Sequence, residues 1–378
     1  MDILAIFEDL GMWIFWYTVP FLFLLTVIVF IHELGHFMVA RWFGVGIKVF
    51  SVGFGRELFG FNDRQGTRWK FCAIPLGGYV KFLGDETEAG GTDREALDNM
   101  SSAEQENAFA NKSVGARAAI VAAGPIANFL LAIVIFTAIL SVYGKQVTEA
   151  RVDGVVPGSV AERAGFQPGD LVITIDGDEI GSFSDLQRIV GVSAGTKLNV
   201  VVDRGGNRVE LTATPEQHET ESSLGKHRSG RLGISRSATA ENVSTERYSV
   251  PEAAILAVAE TWFVVEQTGV SLAAIIAGRE STDQLGGPIR IAQMSAQVAT
   301  FGIVAFFRFI AILSISIGLI NLFPIPVLDG GHLVFYAIEG VRGRPLSDRA
   351  QDISFRIGFV SLAMLMIFAV SNDIIQLF

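Results

Sequence analysis

The chain has 378 residues, 50% hydrophobic and 18% charged, with a formal net charge of −10 and a mean hydropathy of +0.44. That is too apolar for an ordinary soluble protein and not apolar enough to be membrane throughout, so several transmembrane helices plus a water-exposed part are expected. The absence of a basic stripe argues against nucleic acid as a partner, and the single cysteine, Cys72, excludes an intrachain disulfide.

The first 40 residues carry no Lys or Arg and begin acidic, with Asp2, Glu8 and Asp9, so a cleaved signal peptide is not expected. Residues 13–43 form the first long apolar run and are predicted to be a transmembrane helix. Three more runs can each supply the ~20 residues of a crossing: 113–145, 300–331 and 353–378. A fifth, residues 251–280, has Glu260 and Glu266 in its interior and is predicted to lie along the membrane surface as an amphipathic helix. The fold class expected is therefore a polytopic α-helical membrane protein with four transmembrane helices.

Orientation follows from Lys and Arg near the span ends. Lys48, Arg56, Arg64, Arg68, Lys70 and Lys81 follow the first span, and Arg342, Arg344, Arg349 and Arg356 lie between the last two. Both loops are expected on the cytoplasmic side and both termini outside, an arrangement that four spans satisfy. Within residues 44–112, the pieces "FSVGFG" and "IPLGGYVKFLG" read as strands with glycine turns. Residues 85–106, with eight carboxylates against Arg94 alone, read as a solvated loop.

Between the second and third spans lies a soluble stretch. Its segment "PGSVAERAGFQPGDLVITIDGDEIGSFSDLQRIV" resembles a PDZ domain, covering residues 147–215, a mixed α/β module inserted on the extracytoplasmic side. Such domains take extended peptides, often C-termini, as an added strand. Residues 216–250 are polar and are predicted to be a mobile linker.

The chemistry sits in the first span. His32-Glu33-Leu34-Gly35-His36 is HExxH, and on a helix His32 and His36 share one face. Two imidazoles there can hold one metal, and Glu33 beside them can activate a water. Ionisable groups at membrane depth are rare and usually functional. A catalytic zinc site usually takes three protein ligands. The best third candidate is Asp329 in "NLFPIPVLDGGH", where Pro324, Pro326 and the Gly330-Gly331 pair break the helix. His332 is an alternative, whereas His218 and His227 fall in the outer stretch. The charge-derived orientation puts HExxH and Asp329 near the same cytoplasmic face.

HExxH followed by "NLFPIPVLDG" resembles the site-2 protease family of intramembrane zinc metalloproteases, and most of all the bacterial regulator-of-sigma-E branch. "FSVGFG", "GGYVKFLGD", "AAGPIANF", the PDZ-like segment and "GGPIRIAQ" fit in order, so the resemblance covers nearly the whole chain. It implies Zn2+ held by His32, His36 and Asp329, Glu33 as the base, and Asn321 helping to hold substrate. It implies that the hairpin around Gly77, Gly78, Tyr79 and Val80 is a membrane-associated, reentrant β-element offering a strand-like surface to an unwound substrate. It further implies an enzyme of the bacterial inner membrane acting on single-span proteins such as anti-sigma factors, or on leftover signal peptides, with the PDZ domain gating access. The best-known members of the branch carry two tandem PDZ domains, and only one is visible here. Two other readings are a PDZ-bearing scaffold with a vestigial metal site and a metal transporter; the presence of all three ligands and the base speaks against the first, and the lack of an internal repeat against the second.

Overall fold

The structure is a computed structural model, and it describes residues 3–377 apart from 88–89, 93–96, 223–224, 237–242 and 278–285. Helix α1 runs Ile3–Trp42 and contains Pro20. It is followed by β1 (Ile47–Asn62), β2 (Arg68–Phe82), the short pair β3 (Asp85–Thr87) and β4 (Gly90–Thr92), α2 (Ser102–Asn107), and α3 (Val114–Val142). Among the described residues, five helices contain stretches long and apolar enough to cross a membrane: Trp16–Trp42, Val114–Val142, Val250–Ala273, Ile303–Asn321 and Arg349–Gln376. Many large apolar side chains in them are exposed, Trp16, Leu130, Trp262 and Phe359 among them, as a bilayer rather than water as solvent allows. The chain is a multi-pass membrane protein.

The β1–β2 pair is more than a hairpin. Val49, Phe50, Ser51 and Val52 each pair on both sides, with residues 78–81 and with residues 68–71, while Phe59, Phe61 and Asn62 pair with Phe71, Trp69 and Arg68. Both strands therefore double back, giving four strand segments in the order 57–62, 68–72, 49–52, 78–81. Gly53 and Gly55, at φ 88° and 84°, make the bend in β1, a conformation that costs a side-chain-bearing residue far more. The sheet sits on α1 through Phe37, Phe50 and Trp69, whose rings meet at centroid distances of 4.2–5.4 Å. Its far end exposes Leu58, Phe59, Phe61 and Ile74. The run 85–106, expected as a solvated loop, holds β3, β4 and α2; its residues 88–89 and 93–96 lie outside the described residues.

The chain divides into two units. The first holds residues 1–137, 254–270 and 286–378, and the second 138–253 and 271–285. In the second, β5 (Lys145–Thr148), β6 (Gly154–Val155), α4 (Val160–Ala164), β7 (Leu171–Ile175), β8 (Asp178–Glu179), α5 (Phe183–Val192), β9 (Leu198–Arg204) and β10 (Asn207–Ala213) follow in order. The main sheet has the order β10-β9-β7-β8 over a core of Val152, Phe166, Val172, Ile175, Leu186, Val200 and Val202. Short helices are started by side-chain caps: Ser159 and Ser182 accept from the backbone N–H three residues on. Asp170 is buried, which raises its pKa, yet two hydrogen bonds from Arg204 and one from the Gln167 N–H outweigh that and hold it below the ordinary value.

Residues 216–250, expected to be a mobile linker, differ from that expectation. They form β11 (Glu216–Ser222), β12 (Gly225–Arg231), β13 (Ile234–Ser235) and β14 (Val243–Glu246). β13 pairs with β6, β14 pairs with β5, and Leu232, 3% exposed, belongs to the unit's core. The domain therefore extends past residue 215, because two apolar residues, Leu232 and Ile234, complete a core that the polar composition around them conceals.

The remaining helices are α6 (Val250–Ile276), α7 (Pro288–Thr300), α8 (Ile303–Asn321), α9 (Asp329–Arg342) and α10 (Asp348–Leu377). A capping box formed by Ser249 and Glu252 opens α6. The expected span 300–331 is divided: α8 stops at Asn321, and Asp329 begins a separate helix. The buried Asp373 of α10 caps α7, accepting from the N–H groups of Gly287 at 2.8 Å, Ile289 at 3.0 Å and Arg290 at 3.1 Å.

Candidate metal centre

In the last three turns before its C-terminal end, α1 presents His32 and His36 on the face that meets α3. The two helices approach closely because each contributes a glycine at the crossing. A Cβ on Gly35 would strike the Ala123 carbonyl, and one on Gly124 would strike His36 Nε2. Gly124 thus leaves the space in which the imidazoles sit.

Asp329 arrives from the other side of the chain. After α8, residues 322–328 turn sharply through Pro324 and Pro326, with Val327 at φ 99°, a strained value for a β-branched residue. A Cβ on Gly330 or Gly331 would strike the carbonyls of Phe323 or Ile325, so only glycine lets this turn fold back onto the start of α9. Gly358 of α10 backs against the Pro326 carbonyl in the same way. The result is an aspartate fixed at the first residue of a helix.

His32 Nε2 lies 3.2 Å from Asp329 Oδ2, His36 Nε2 lies 3.6 Å from Asp329 Oδ1, and the two Nε2 atoms are 3.2 Å apart. Ligand atoms about 2.0–2.1 Å from a tetrahedral zinc stand ~3.3 Å from one another, so these separations fit that ion. Asp329 Oδ2 is buried without a hydrogen-bond partner among the described residues, as expected of an oxygen whose partner is a cation. Among the described residues, this is the one cluster of three or more His, Cys, Asp or Glu side chains with a metal-holding arrangement, its ligand atoms within 4.8 Å of one another. Side-chain exposure is 12% for each histidine and 17% for Asp329, so the site is lined by protein but reachable.

Glu33 points to the sheet edge. Its carboxylate accepts from the Val80 backbone N–H, and a Cβ on Gly78 would come within 3.1 Å of its Cγ. Residues 78–81 pair with β1 on one side alone, so their other edge runs past Glu33. Gly77, at φ 153°, packs under the Phe54 ring; Tyr79 is buried, stacked on Phe54 and covered by the Lys70 ammonium at 4.9 Å. Of the four hairpin residues expected to meet substrate, Gly78 and Val80 therefore border the site with backbone, while the Tyr79 ring is engaged in the sheet. Asn321 is the last residue of α8, half-buried, eight residues before Asp329.

His332, the alternative ligand, stands outside the cluster. It is packed against the rings of Phe335, Tyr336 and Phe355, and burial holds its imidazole below the ordinary value, hence neutral at pH 7. His218 lies exposed on β11. Two features escaped the sequence reading. His36 Nδ1 donates to the Ile120 carbonyl at 2.9 Å, and Asn128 lies 3.2 Å from His32 Nδ1. The available signal was Asn128 itself, the one carboxamide in the apolar α3.

Comparison with known proteins agrees with this picture. The model of peptidase family M50 matches residues 20–365. A protein named "Putative zinc metalloprotease" from Rhizobium meliloti is 50% identical over 96% of this chain and 97% of its own. Another of that name from Agrobacterium fabrum is 48% identical over 96% of each chain. "Metalloprotease MmpA" of Caulobacter vibrioides is 41% identical over 94% of each. With the family model and these relatives spanning nearly its full length, the chain belongs to peptidase family M50.

Proposed function

We propose that this chain, a zinc metalloprotease of the M50 family, hydrolyses peptide bonds within or next to the transmembrane segment of single-span membrane proteins. The observation that carries the reading is the spacing of His32, His36 and Asp329, which fits zinc, beside a half-open sheet edge and with both histidines in a helix apolar enough to cross a bilayer. His32 and His36 through Nε2 and Asp329 through its carboxylate are the residues to hold the ion. Bound there, zinc supplies Lewis-acid polarisation of the scissile carbonyl and of water. Glu33 takes the proton of the attacking water and passes it to the leaving amine. Backbone groups alternate along a strand, so the Gly78 N–H and C=O and the Val80 C=O turn toward the open edge, where Glu33 already holds the Val80 N–H. They offer hydrogen bonds to a substrate segment unwound from its helix, whose amides are otherwise hidden from attack. In this reading the Asn321 carboxamide hydrogen-bonds the same substrate backbone.

Topology supports four crossings with α6 at the membrane surface. Asp373, four residues from the end of α10, holds the start of α7, so that start lies on the same face as the end of α10. If α6 crossed, the eight residues 278–285 would have to return through the bilayer to reach it, and eight residues cannot cover the ~30 Å core even as near-extended chain. Glu260 of α6 pairs with Arg308, early in α8, at 2.9 Å, as suits the interface rather than the bilayer centre. From the basic loops we infer an active site near the cytoplasmic face, with the termini and the PDZ-like residues 147–215 outside. Helical rather than barrel spans suit a bacterial inner membrane. In the second unit, a groove between α5 and residues 229–235, lined by Phe183, Leu186, Val190, Leu232 and Ile234, is shaped to receive an extended peptide as a PDZ domain does. Anti-sigma-factor-like proteins and remnant signal peptides are the substrate classes we infer, with this groove gating access.

The test is cleavage of single-span substrates by the purified protein in lipid nanodiscs, with product ends mapped by mass spectrometry. The expected cut falls in or beside the span, stops on chelation and returns with zinc. Cuts confined to soluble segments, or indifferent to chelation, contradict the reading.

A further inference from the structure

Asn128 lies in the middle of α3, fully buried, with its side chain turned to the metal centre. Its amide nitrogen is 3.2 Å from His32 Nδ1, and its amide oxygen is buried with no hydrogen-bond partner among the described residues. Its backbone carbonyl accepts from the Ser314 hydroxyl of α8 at 2.9 Å, and its Cβ faces Gly318 of the same helix. One polar residue thus touches α1, which carries the histidines, and α8, which leads to Asp329.

The two ends of a carboxamide have the same shape, so its orientation is decided by the hydrogen bonds it makes. With the nitrogen toward His32, Nδ1 has to accept, and the ring proton then sits on Nε2. That is the atom 3.2 Å from both Asp329 Oδ2 and His36 Nε2, and a protonated nitrogen cannot ligate. With the oxygen toward His32, Nδ1–H donates and Nε2 keeps its lone pair. His36 already has this arrangement, since its Nδ1 lies 2.9 Å from the Ile120 carbonyl, which can only accept. The acceptors for both rings then come from α3, two turns apart. Metal-bound histidines commonly use such outer partners to fix their tautomer.

We propose that Asn128 is a positioning residue for the reaction: its carboxamide oxygen accepts from His32 Nδ1–H and holds the tautomer whose Nε2 is bare toward the metal. This rests on the reading that His32, His36 and Asp329 hold zinc, and it adds a residue to the machinery of that site.

The experiment measures zinc affinity by chelator competition on the full-length protein in detergent, for wild type, Asn128→Leu and Asn128→Asp. Leu keeps the volume and removes the acceptor; Asp keeps an acceptor oxygen. Asn128→Leu is expected to lose ~10–100-fold in zinc affinity, and Asn128→Asp to stay within ~3-fold of wild type. Zinc-free melting temperatures are compared alongside, and those of the two variants are expected to match. Unchanged affinity in Asn128→Leu, or equal losses in both variants, overturns the proposal. Should Asn128→Leu fail to fold, the 15N spectrum of histidine-labelled, zinc-loaded wild type decides: a proton on His32 Nδ1 with Nε2 coordinated is expected, and coordination through Nδ1 overturns the proposal. Failure of wild type to bind zinc overturns the ligand reading as well, whereas zinc-binding wild type beside an unaffected Asn128→Leu overturns the role of Asn128 alone.

Discussion

His32 Nε2 and Asp329 Oδ2 stand 3.2 Å apart, although one belongs to the first helix and the other to the start of α9. Such a contact between a histidine and a carboxylate with no hydrogen-bond partner on that oxygen has one economical explanation, a shared cation. Asp329→Asn keeps the shape and removes the charge. It is expected to lower zinc affinity more than about 100-fold, measured by chelator competition, since a first ligand counts for more than an outer partner. Affinity within about threefold of wild type removes Asp329 from the ligand set.

Gly124 is where the imidazoles meet α3. A methyl group there collides with His36 Nε2 and comes within 2.9 Å of the His32 ring, so Gly124→Ala forces the rings or the helices apart. Loss of zinc at micromolar free metal, with a melting temperature lowered by a few degrees, is the expected result; overpacking of this kind costs ~1–3 kcal/mol. Titration with Co2+ and its absorption bands report the geometry directly.

Arg117 of α3 and Glu339 of α9 form an ion pair at 2.6 Å, 14% and 13% exposed, with the guanidinium also 4.9 Å above the Tyr336 ring. The pair ties the helix that starts with Asp329 to the one that backs the histidines. Breaking one side leaves a largely buried charge alone, so Arg117→Met should destabilise by ~3 kcal/mol. The double change with Glu339→Met should recover most of it in a denaturant or thermal series. A double variant as weak as the single one refutes the pairing argument.

Asp85 accepts from the Phe82 N–H at 2.9 Å, yet burial raises its pKa from 3.8 to about 6, against that bond and the nearby Lys81 and Lys48. Because the folded value lies above the unfolded one, its favourable contribution is fully present below pH 4 and is lost as pH rises through about 6. Asp85→Asn keeps an acceptor for Phe82 and cannot ionise. It should match wild type near pH 4 and exceed it above pH 7 by ~1–2 kcal/mol, allowing for partial screening. A wild type and variant that track each other across this range contradict the assignment.

Much of the site was legible because its signals are local. HExxH declares itself through the four-residue spacing of a helix, and Asp329 through broken helix beside a run of prolines and glycines in an apolar stretch. Lys and Arg bias then put both on one side. What was hidden depends on contacts far apart in sequence. Asn128 reads as an isolated polar residue until His32 is beside it, and Leu232 reads as part of a polar tract until it enters a core with Val152 and Leu186. The doubling back of β1 is set by Gly53 and Gly55, yet glycine alone does not say which strand the bend will meet. The break after α8 was marked by Pro324 and Pro326, but hydropathy that runs on to residue 331 hid that Asp329 opens a helix of its own.

The most direct measurement compares wild type with Glu33→Gln, assaying bound zinc and cleavage of a single-span substrate in the same preparations. Gln keeps the size of Glu33 and its place beside Val80 but cannot take a proton, so zinc should stay at one per chain while cleavage falls by at least ~100-fold. A Glu33→Gln protein that holds zinc and still cuts inside the span at the wild-type rate would contradict the account.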